Sequence, residues 1–158
     1  MLTPVLMTLI LILPYLGYRL LRRRKEDLRT AAAVGVGLLF LFTATGHFTQ
    51  TGPMVQMLPS WVPARELLVY ATGVLEIAIA VALFFPRSRR AGAWAAAAAL
   101  VAFFPANVYA ALQHVPMGGH VWGPVYLLVR APLQLFILWW IWAMVLRSSG
   151  TSPVQPRH

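Results

Sequence analysis

The sequence has no cysteine and only four acidic residues among 158. Without cysteine the chain cannot form disulfides, cycle thiols, ligate an iron–sulfur cluster or attach haem covalently, so any redox role depends on a bound cofactor or a partner. Charged residues are also scarce at 11%, against roughly 25% in soluble domains. Hydrophobic residues reach 59%, and the mean hydropathy is +0.70. This composition indicates an integral membrane protein, with the lipid bilayer as its first partner.

The positive charge does not indicate nucleic-acid binding. The formal net charge of +9 comes from 13 lysines and arginines, which are confined to short segments between apolar runs. That is the pattern of charges that orient membrane helices, and it differs from a nucleic-acid-binding surface. We therefore predict no nucleic-acid partner.

Five apolar runs are long enough to be helical membrane spans. In the first, Leu2–Leu21, the basic residues follow the apolar stretch, whereas a cleaved signal peptide carries its charges before it. This order predicts an uncleaved first helix. The other predicted spans are Thr30–Phe48, Glu66–Phe85, Ala91–Gln113 and Pro124–Leu146. The predicted fold is an all-α, polytopic membrane protein.

Three segments lie outside the predicted spans. The segment Thr49–Ala64 contains three prolines and therefore cannot be one continuous helix. Its apolar character and Trp61 predict a flap that lies at the membrane interface. Residues 22–29 form a basic linker, and residues 148–158 are expected to be a disordered cytoplasmic tail.

The distribution of basic residues predicts the orientation of the chain. Placing the N-terminus outside puts all of the 13 lysines and arginines on the inner side except Arg65 and Arg130. Inner loops of membrane proteins carry an excess of these residues. We therefore predict an outside N-terminus and a cytoplasmic C-terminus.

A single carboxylate, Glu76, lies near the middle of the third predicted span. A charge at this depth disfavours insertion by about 2.5–3.5 kcal/mol, so the side chain should face a protein interior or a wet cavity. At a rise of about 1.5 Å per residue, three other spans bring His47, Asn107, Arg130 and Gln134 to the same outer half of the membrane. This convergence is the main functional signal in the sequence.

Two interpretations of this set stay open. In the first, Glu76 and Arg130 form a structural ion pair, while Asn107 and Gln134 make hydrogen bonds between helices. In the second, the residues line a polar pocket that opens outward beneath the flap. A small molecule would then bind through Arg130 and His47, with Glu76 orienting the guanidinium or carrying a proton.

The histidines admit other partners. Thr43 and His47 share a helix face at i, i+4, and a hydrogen bond between them would satisfy one ring nitrogen. His114 and His120 lie on an outer loop without supporting ligands, so we predict no metal site. Haem bound between two outer histidines fits their chemistry, but no spacing in the sequence requires it.

A set of short motifs resembles a known family. In order they are Gly46-His-Phe48, Leu58-Pro-Ser-Trp-Val-Pro63, Tyr70-Ala-Thr-Gly-Val-Leu-Glu76, Phe104-Pro-Ala-Asn107 and Arg130-Ala-Pro-Leu-Gln134. Together they resemble the DoxX-like small membrane proteins of bacteria, which also resemble MauE. The resemblance implies a four-helix membrane bundle over residues 30–147, with residues 1–29 as an added N-terminal helix and linker. The family's recurring polar positions fall on the same five residues that depth selects.

The resemblance also implies a place in the bacterial inner membrane and a link to quinone-dependent or respiratory redox complexes. The leading hypothesis is a redox-accessory protein, without a catalytic role of its own, that binds a quinone or similar small amphiphile. Arg130 and His47 would donate to a ligand oxygen, and Asn107 and Gln134 would orient it. One alternative is a structural or assembly partner of a membrane complex that binds no ligand. A small proton-coupled transporter is a further alternative, although the five spans show no inverted repeat.

Overall fold

The computed structural model describes residues 2–21 and 25–147, and all regular elements in these ranges are helical. This confirms the all-α class. Residues 22–24 of the predicted basic linker and the predicted tail, 148–158, lie outside the described residues.

The chain runs through six α-helices in the described ranges. They are α1 (Leu2–Leu21), α2 (Lys25–Thr49), α3 (Thr51–Gln56), α4 (Arg65–Phe84), α5 (Arg89–Leu112) and α6 (Leu127–Trp140). A 3-10 helical segment, His120–Tyr126, leads into α6, and a π-helical segment, Ile141–Leu146, continues it.

Within residues 2–21 and 25–147, five helical segments are long and apolar enough to cross a membrane, as expected of a multi-pass membrane protein. They are α1, the Leu28–Thr49 part of α2, α4, α5 and the combined stretch His120–Leu146. The bounds differ from the predicted ones mainly at two places. Helix α2 begins at Lys25, although its membrane-spanning part begins at Leu28, two residues before the predicted Thr30, and the last span begins at His120, four residues before Pro124.

Helix α2 is the central helix of the fold. It packs against α1, α3, α4 and the π-helical segment. Alanines 31–33 are fully buried on it, and Gly35 lies against the backbone of Leu11. Gly37 lies against the ring of Phe84. Small residues let helix backbones approach closely, which is how membrane helices gain packing contacts without a hydrophobic driving force.

Helix α1 is the least buried of the five spans. One face of it still docks onto the rest of the fold, because Leu11 is fully buried and Met7 nearly so. Helix α1 therefore packs against α2 and reaches α6.

One end of the bundle, which we call the arginine end, is held by arginines on carbonyl groups. Arg29 donates to the carbonyl oxygens of Val145 and Arg147, at 3.3 and 2.7 Å. Arg89 donates to the carbonyl oxygen of Leu83 at 3.3 Å. These bonds satisfy carbonyls that the last turn of a helix leaves without partners.

The opposite end, which we call the flap end, carries α3, the turns at 57–64 and the loop at 113–119. As predicted, the residues between α2 and α4 do not form a continuous helix. Ala64 adopts a left-handed conformation immediately before α4, with φ 48°. Trp61 is 80% exposed on this segment.

Candidate functional site

The buried polar side chains of the described residues are few, and most of them are the predicted ones. They are His47, Glu76, Asn107, His120 and Gln134. Arg130, the remaining predicted residue, is partly buried. A buried polar group without a hydrogen bond costs roughly 1–3 kcal/mol by mutational data. The partners of these groups therefore define what the site can do.

His47 is fixed by the backbone of the neighbouring helix. Its Nδ1 lies 2.7 Å from the carbonyl oxygen of Val69 in α4. The Oγ1 of Thr72 lies 3.1 Å from the same nitrogen and donates its own proton to the carbonyl of Leu68 at 2.8 Å. A carbonyl oxygen only accepts hydrogen bonds, so Nδ1 carries a hydrogen.

A glycine makes room for this ring. A Cβ atom at Gly73 would lie 2.7 Å from the Cβ of His47, so only glycine lets α2 and α4 approach this closely here. Thr72 and Gly73 precede Glu76 by one helical turn and share its face. One short stretch of α4 thus surrounds His47 with the carbonyl of Val69, the hydroxyl of Thr72 and the carboxylate of Glu76, and Gly73 leaves room for the ring. The sequence marked this stretch as a motif, but the roles of Val69, Thr72 and Gly73 were not predicted.

The other ring nitrogen of His47 faces Glu76. The distance from Nε2 to Oε2 is 3.6 Å, and the two residues are 9% and 5% exposed. Oε2 has no hydrogen-bond partner among the described residues. The hydroxyl of Thr43 donates to the carbonyl oxygens of Leu39 and Phe40, at 3.2 and 3.1 Å. The predicted bond between Thr43 and His47 is therefore wrong, and Thr72 takes that place on the ring.

Glu76 and Arg130 do not form the direct ion pair that the sequence suggested. Within the described part of the chain, no nitrogen of Arg130 lies within 4.0 Å of an oxygen of Glu76. Their charges are close enough to interact across the gap. His47 occupies one side of the carboxylate, and Asn107 holds the guanidinium from α5. The contact partner of Glu76 is therefore His47 and not Arg130.

Arg130 is held by two uncharged partners. Its Nε donates to Oδ1 of Asn107 at 3.2 Å, and Asn107 donates from Nδ2 to the carbonyl oxygen of Phe103 at 2.8 Å. One terminal nitrogen of Arg130 lies 3.6 Å from Sδ of Met7 in α1, a weak acceptor. A guanidinium has five N–H donors, so most of them have no partner among the described residues. A cation inside an apolar span thus lacks a contacting anion in this part of the chain.

Gln134 does not join the other polar residues. It lies one turn beyond Arg130 and donates from Nε2 to the carbonyl oxygen of Leu100 at 3.0 Å. The next carbonyl in α5, that of Val101, also lacks its usual helical donor, because Pro105 has no N–H. Gln134 therefore ties α6 to α5 beside a weakened stretch of helix.

His120 lies near Arg130, although from the sequence it was considered only as a metal or haem ligand, and no metal site was predicted there. Its Nδ1 lies 2.9 Å from the carbonyl oxygen of Met117, and its ring packs edge-on against Tyr126 at 4.9 Å between centroids. Its Nε2 is buried without a partner among the described residues. The ring is close enough to Arg130 for their charges to interact. His114, in contrast, is exposed.

The cluster therefore leaves two acceptors and one cationic donor open. These are Oε2 of Glu76, Nε2 of His120 and the guanidinium of Arg130. Buried polar groups are almost always paired, so these groups are the atoms of the cluster that can make further polar contacts. Within residues 2–21 and 25–147, no group of three or more histidine, aspartate or glutamate side chains could hold a metal ion.

A cleft of about 720 Å³ lies at the flap end, lined by residues that include Val55, Val62, Arg65 and Tyr70. Small-molecule sites are typically roughly 300–1,000 Å³. Tyr70 stacks on Phe48 with 6.0 Å between ring centroids, and Phe48 directly follows His47 in the chain. None of the predicted site residues lines this cleft. The cleft and the buried cluster are neighbours and do not form one open pocket.

Comparison with known proteins yields one match. The chain matches no curated protein and no solved structure. A family model described as "Domain of unknown function (DUF8561)" matches residues 36–145, which is more than half of the chain. The match includes all predicted site residues and His120, and it leaves α1 outside. This protein is a member of the DUF8561 family.

Proposed function

We propose that this protein binds a quinone or a similar small amphiphile through Arg130 and serves as an accessory to a redox complex of the bacterial inner membrane. One observation carries the proposal. Arg130 lies in an apolar span and contacts Asn107 and Met7, and no carboxylate of the described residues touches it. Because an uncompensated charge in a membrane is costly, an oxygen of a bound molecule is the natural partner.

The polar groups near Arg130 fit the headgroup of such a ligand. A quinone carbonyl would accept from the free N–H groups of Arg130. A hydroxyl of the reduced form would donate to the open Nε2 of His120. Asn107 would keep the guanidinium in place through its bond to Nε. His47, with both ring nitrogens engaged, would contact Glu76 and not the ligand.

The proposal includes an architecture and an orientation. Residues 30–147 would form a DoxX-like four-helix core, to which α1 is added. The N-terminus would lie outside and the C-terminus in the cytoplasm, which places the arginine end on the cytoplasmic side. The site would then lie in the outer half of the membrane, beneath the flap. Other subunits of a membrane redox complex would be its protein partners.

The test is the retention of quinone by gently solubilised protein. Lipid extracts of the wild-type protein, Arg130→Met and Arg87→Met are compared by mass spectrometry. Arg87 is exposed at the arginine end and is the matched control. We expect isoprenoid quinone with the wild type and Arg87→Met, and at least a tenfold loss in folded Arg130→Met. Equal retention in all three, or none above a detergent blank, would contradict the proposal.

One observation favours a second candidate function, a structural partner subunit without a ligand. Asn107 and Gln134 each donate to a backbone carbonyl of α5, at 2.8 and 3.0 Å. Both amides thus bond to the backbone of α5, which is the role of a structural hydrogen bond. This candidate predicts that Arg130→Met leaves small-molecule content unchanged and lowers only the amount of a copurifying membrane subunit.

A further inference from the structure

The geometry around His47 fixes where its hydrogens lie. Val69 offers only a carbonyl oxygen, 2.7 Å from Nδ1, so that nitrogen is the protonated one. In a neutral imidazole the other nitrogen, Nε2, is then a bare acceptor. It lies 3.6 Å from Oε2 of Glu76, and an ionised carboxylate is also an acceptor only. Two buried acceptors facing each other repel unless a proton lies between them.

We propose that His47 and Glu76 form a proton-binding site, in which one exchangeable proton lies between Nε2 of His47 and Oε2 of Glu76. The proton can belong to either partner. An imidazolium beside a carboxylate and an imidazole beside a carboxylic acid contain the same atoms and have the same net charge of zero. The step is a proton transfer alone, in which the proton comes from water and no electron moves.

The surroundings support a site built for this purpose. Val69 and Thr72 hold the Nδ1 side of the ring, and Gly73 admits the ring to the surface of α4. Oε2 is the one buried oxygen of the carboxylate without a partner among the described residues, and it is the atom that faces Nε2. The two acceptor atoms without another hydrogen-bond partner, Nε2 of His47 and Oε2 of Glu76, thus face each other.

The charged groups around the pair come from other helices. From α6, Arg130 interacts with Glu76 through space, and α5 contributes the uncharged Asn107 beside it. His120 and Tyr126 lie next to Arg130, on the 3-10 segment. From α2, the uncharged Thr43 lies near the carboxylate. Among the described residues, Arg130 is therefore the charged side chain that interacts electrostatically with the His47–Glu76 pair.

The proton state of the pair sets the charge that Arg130 offers to a ligand. With the proton in place the pair is neutral, and the guanidinium keeps its full positive charge for a ligand oxygen. Without the proton the pair is negative and compensates Arg130 itself. Proton uptake and the binding of an anionic or carbonyl oxygen therefore favour each other, as linkage requires. This consequence deepens the proposed function and rests on it, whereas the proton site itself does not.

The test uses the full chain in nanodiscs, freed of quinone, at neutral pH. Nitrogen-15 NMR of labelled histidines reads the protonation of each ring nitrogen, and infrared spectroscopy reads protonated carboxyl groups. We expect His47 to be protonated on Nδ1 in every case. We also expect either a second proton on its Nε2 or a protonated-carboxyl band that shifts in D2O. The band, or the second proton, should be lost in Glu76→Gln and kept in Glu66→Gln, a change at an exposed carboxylate.

A neutral His47 together with an ionised Glu76 would overturn the inference, and so would a His47 without a hydrogen on Nδ1. The shift in D2O is measured on the wild type, so the result does not depend on whether Glu76→Gln folds. The proton signature without quinone retention would contradict the proposed function alone. Quinone retention without the proton signature would contradict this inference alone.

Discussion

Arg130 donates from Nε to Oδ1 of Asn107 across 3.2 Å, and this bond joins α6 to α5 inside the bundle. The contact replaces the expected ion pair with Glu76. Because Asn107 is neutral, it positions the guanidinium without cancelling its charge. The site therefore keeps a positive charge that an ion pair would have removed.

Replacing Asn107 by leucine should destabilise the protein. Nε of Arg130 would lose its acceptor, and leaving such a group unsatisfied costs roughly 1–3 kcal/mol. Reversible unfolding in mixed micelles measures this change, with Gln113→Leu as the control, since Gln113 is an exposed amide at the end of α5. A variant Asn107→Leu as stable as Gln113→Leu would show that the bond does not hold Arg130.

Two double-mutant cycles separate the observed contact of Glu76 from the expected one. His47→Phe with Glu76→Leu should show a coupling of about 0.5–3 kcal/mol, because these side chains are in contact. Arg130→Met with Glu76→Leu should show a smaller coupling, since the two side chains interact only through space. The free energies of unfolding of the singles and doubles give both values. A larger coupling in the second cycle, with stability restored in the double variant, would favour the structural ion pair.

Alanine at Gly73 should disturb the histidine while alanine at Gly46 should not. A Cβ at Gly73 would meet the Cβ of His47 at 2.7 Å, whereas the nearest atom to one at Gly46 is the flexible end of Met54 at 3.4 Å. Overpacking of this kind typically costs about 1–3 kcal/mol. We expect Gly73→Ala to lower the midpoint of unfolding and to change the ring signals of His47. The same response in both variants would contradict the close approach of α2 and α4.

Alanine at Gly35 should weaken the docking of α1. A Cβ there would clash with the backbone of Leu11, which cannot move as a side chain can, whereas a Cβ at Gly17 would have open space around it. Gly17→Ala should be neutral or slightly stabilising, because alanine is the better helix former. Crosslinking between cysteines placed on α1 and α2 measures the docking. Unchanged crosslinking in Gly35→Ala would mean that α1 does not pack as described.

The spans could be predicted because their signals are local. Apolar runs, prolines and basic turns place the helix ends within a few residues, and the three prolines of the flap exclude a continuous helix there. The second span was predicted within two residues of its start at Leu28, but the helix itself begins earlier, at Lys25, where the sequence looks like a polar linker although lysine and glutamate readily form helix. The segment before α6 was not predicted because its helical turns meet at a kink, where Gly123 has a non-helical conformation with φ 68°.

The site could be predicted only in part. Residue counting gives the level of a side chain along a helix, and His47, Glu76, Asn107 and Arg130 do lie in two contacting pairs. Counting does not give the rotation of one helix against another, so the pairs were assigned wrongly. The bond from His47 to Val69 involves a backbone carbonyl, which no side-chain pattern reveals. His120 was missed because its position depends on how the 3-10 segment folds back.

The most direct test of the central claim, that Arg130 holds the oxygen of a bound quinone, is thermal unfolding of the purified protein with increasing decylubiquinone. A ligand at about 100 times its Kd stabilises a folded protein by about 2.7 kcal/mol. The account predicts a Tm that rises with quinone concentration in the wild type and in Arg87→Met, and a constant Tm in Arg130→Met. A Tm that does not respond in the wild type, or that rises equally in Arg130→Met, would contradict it.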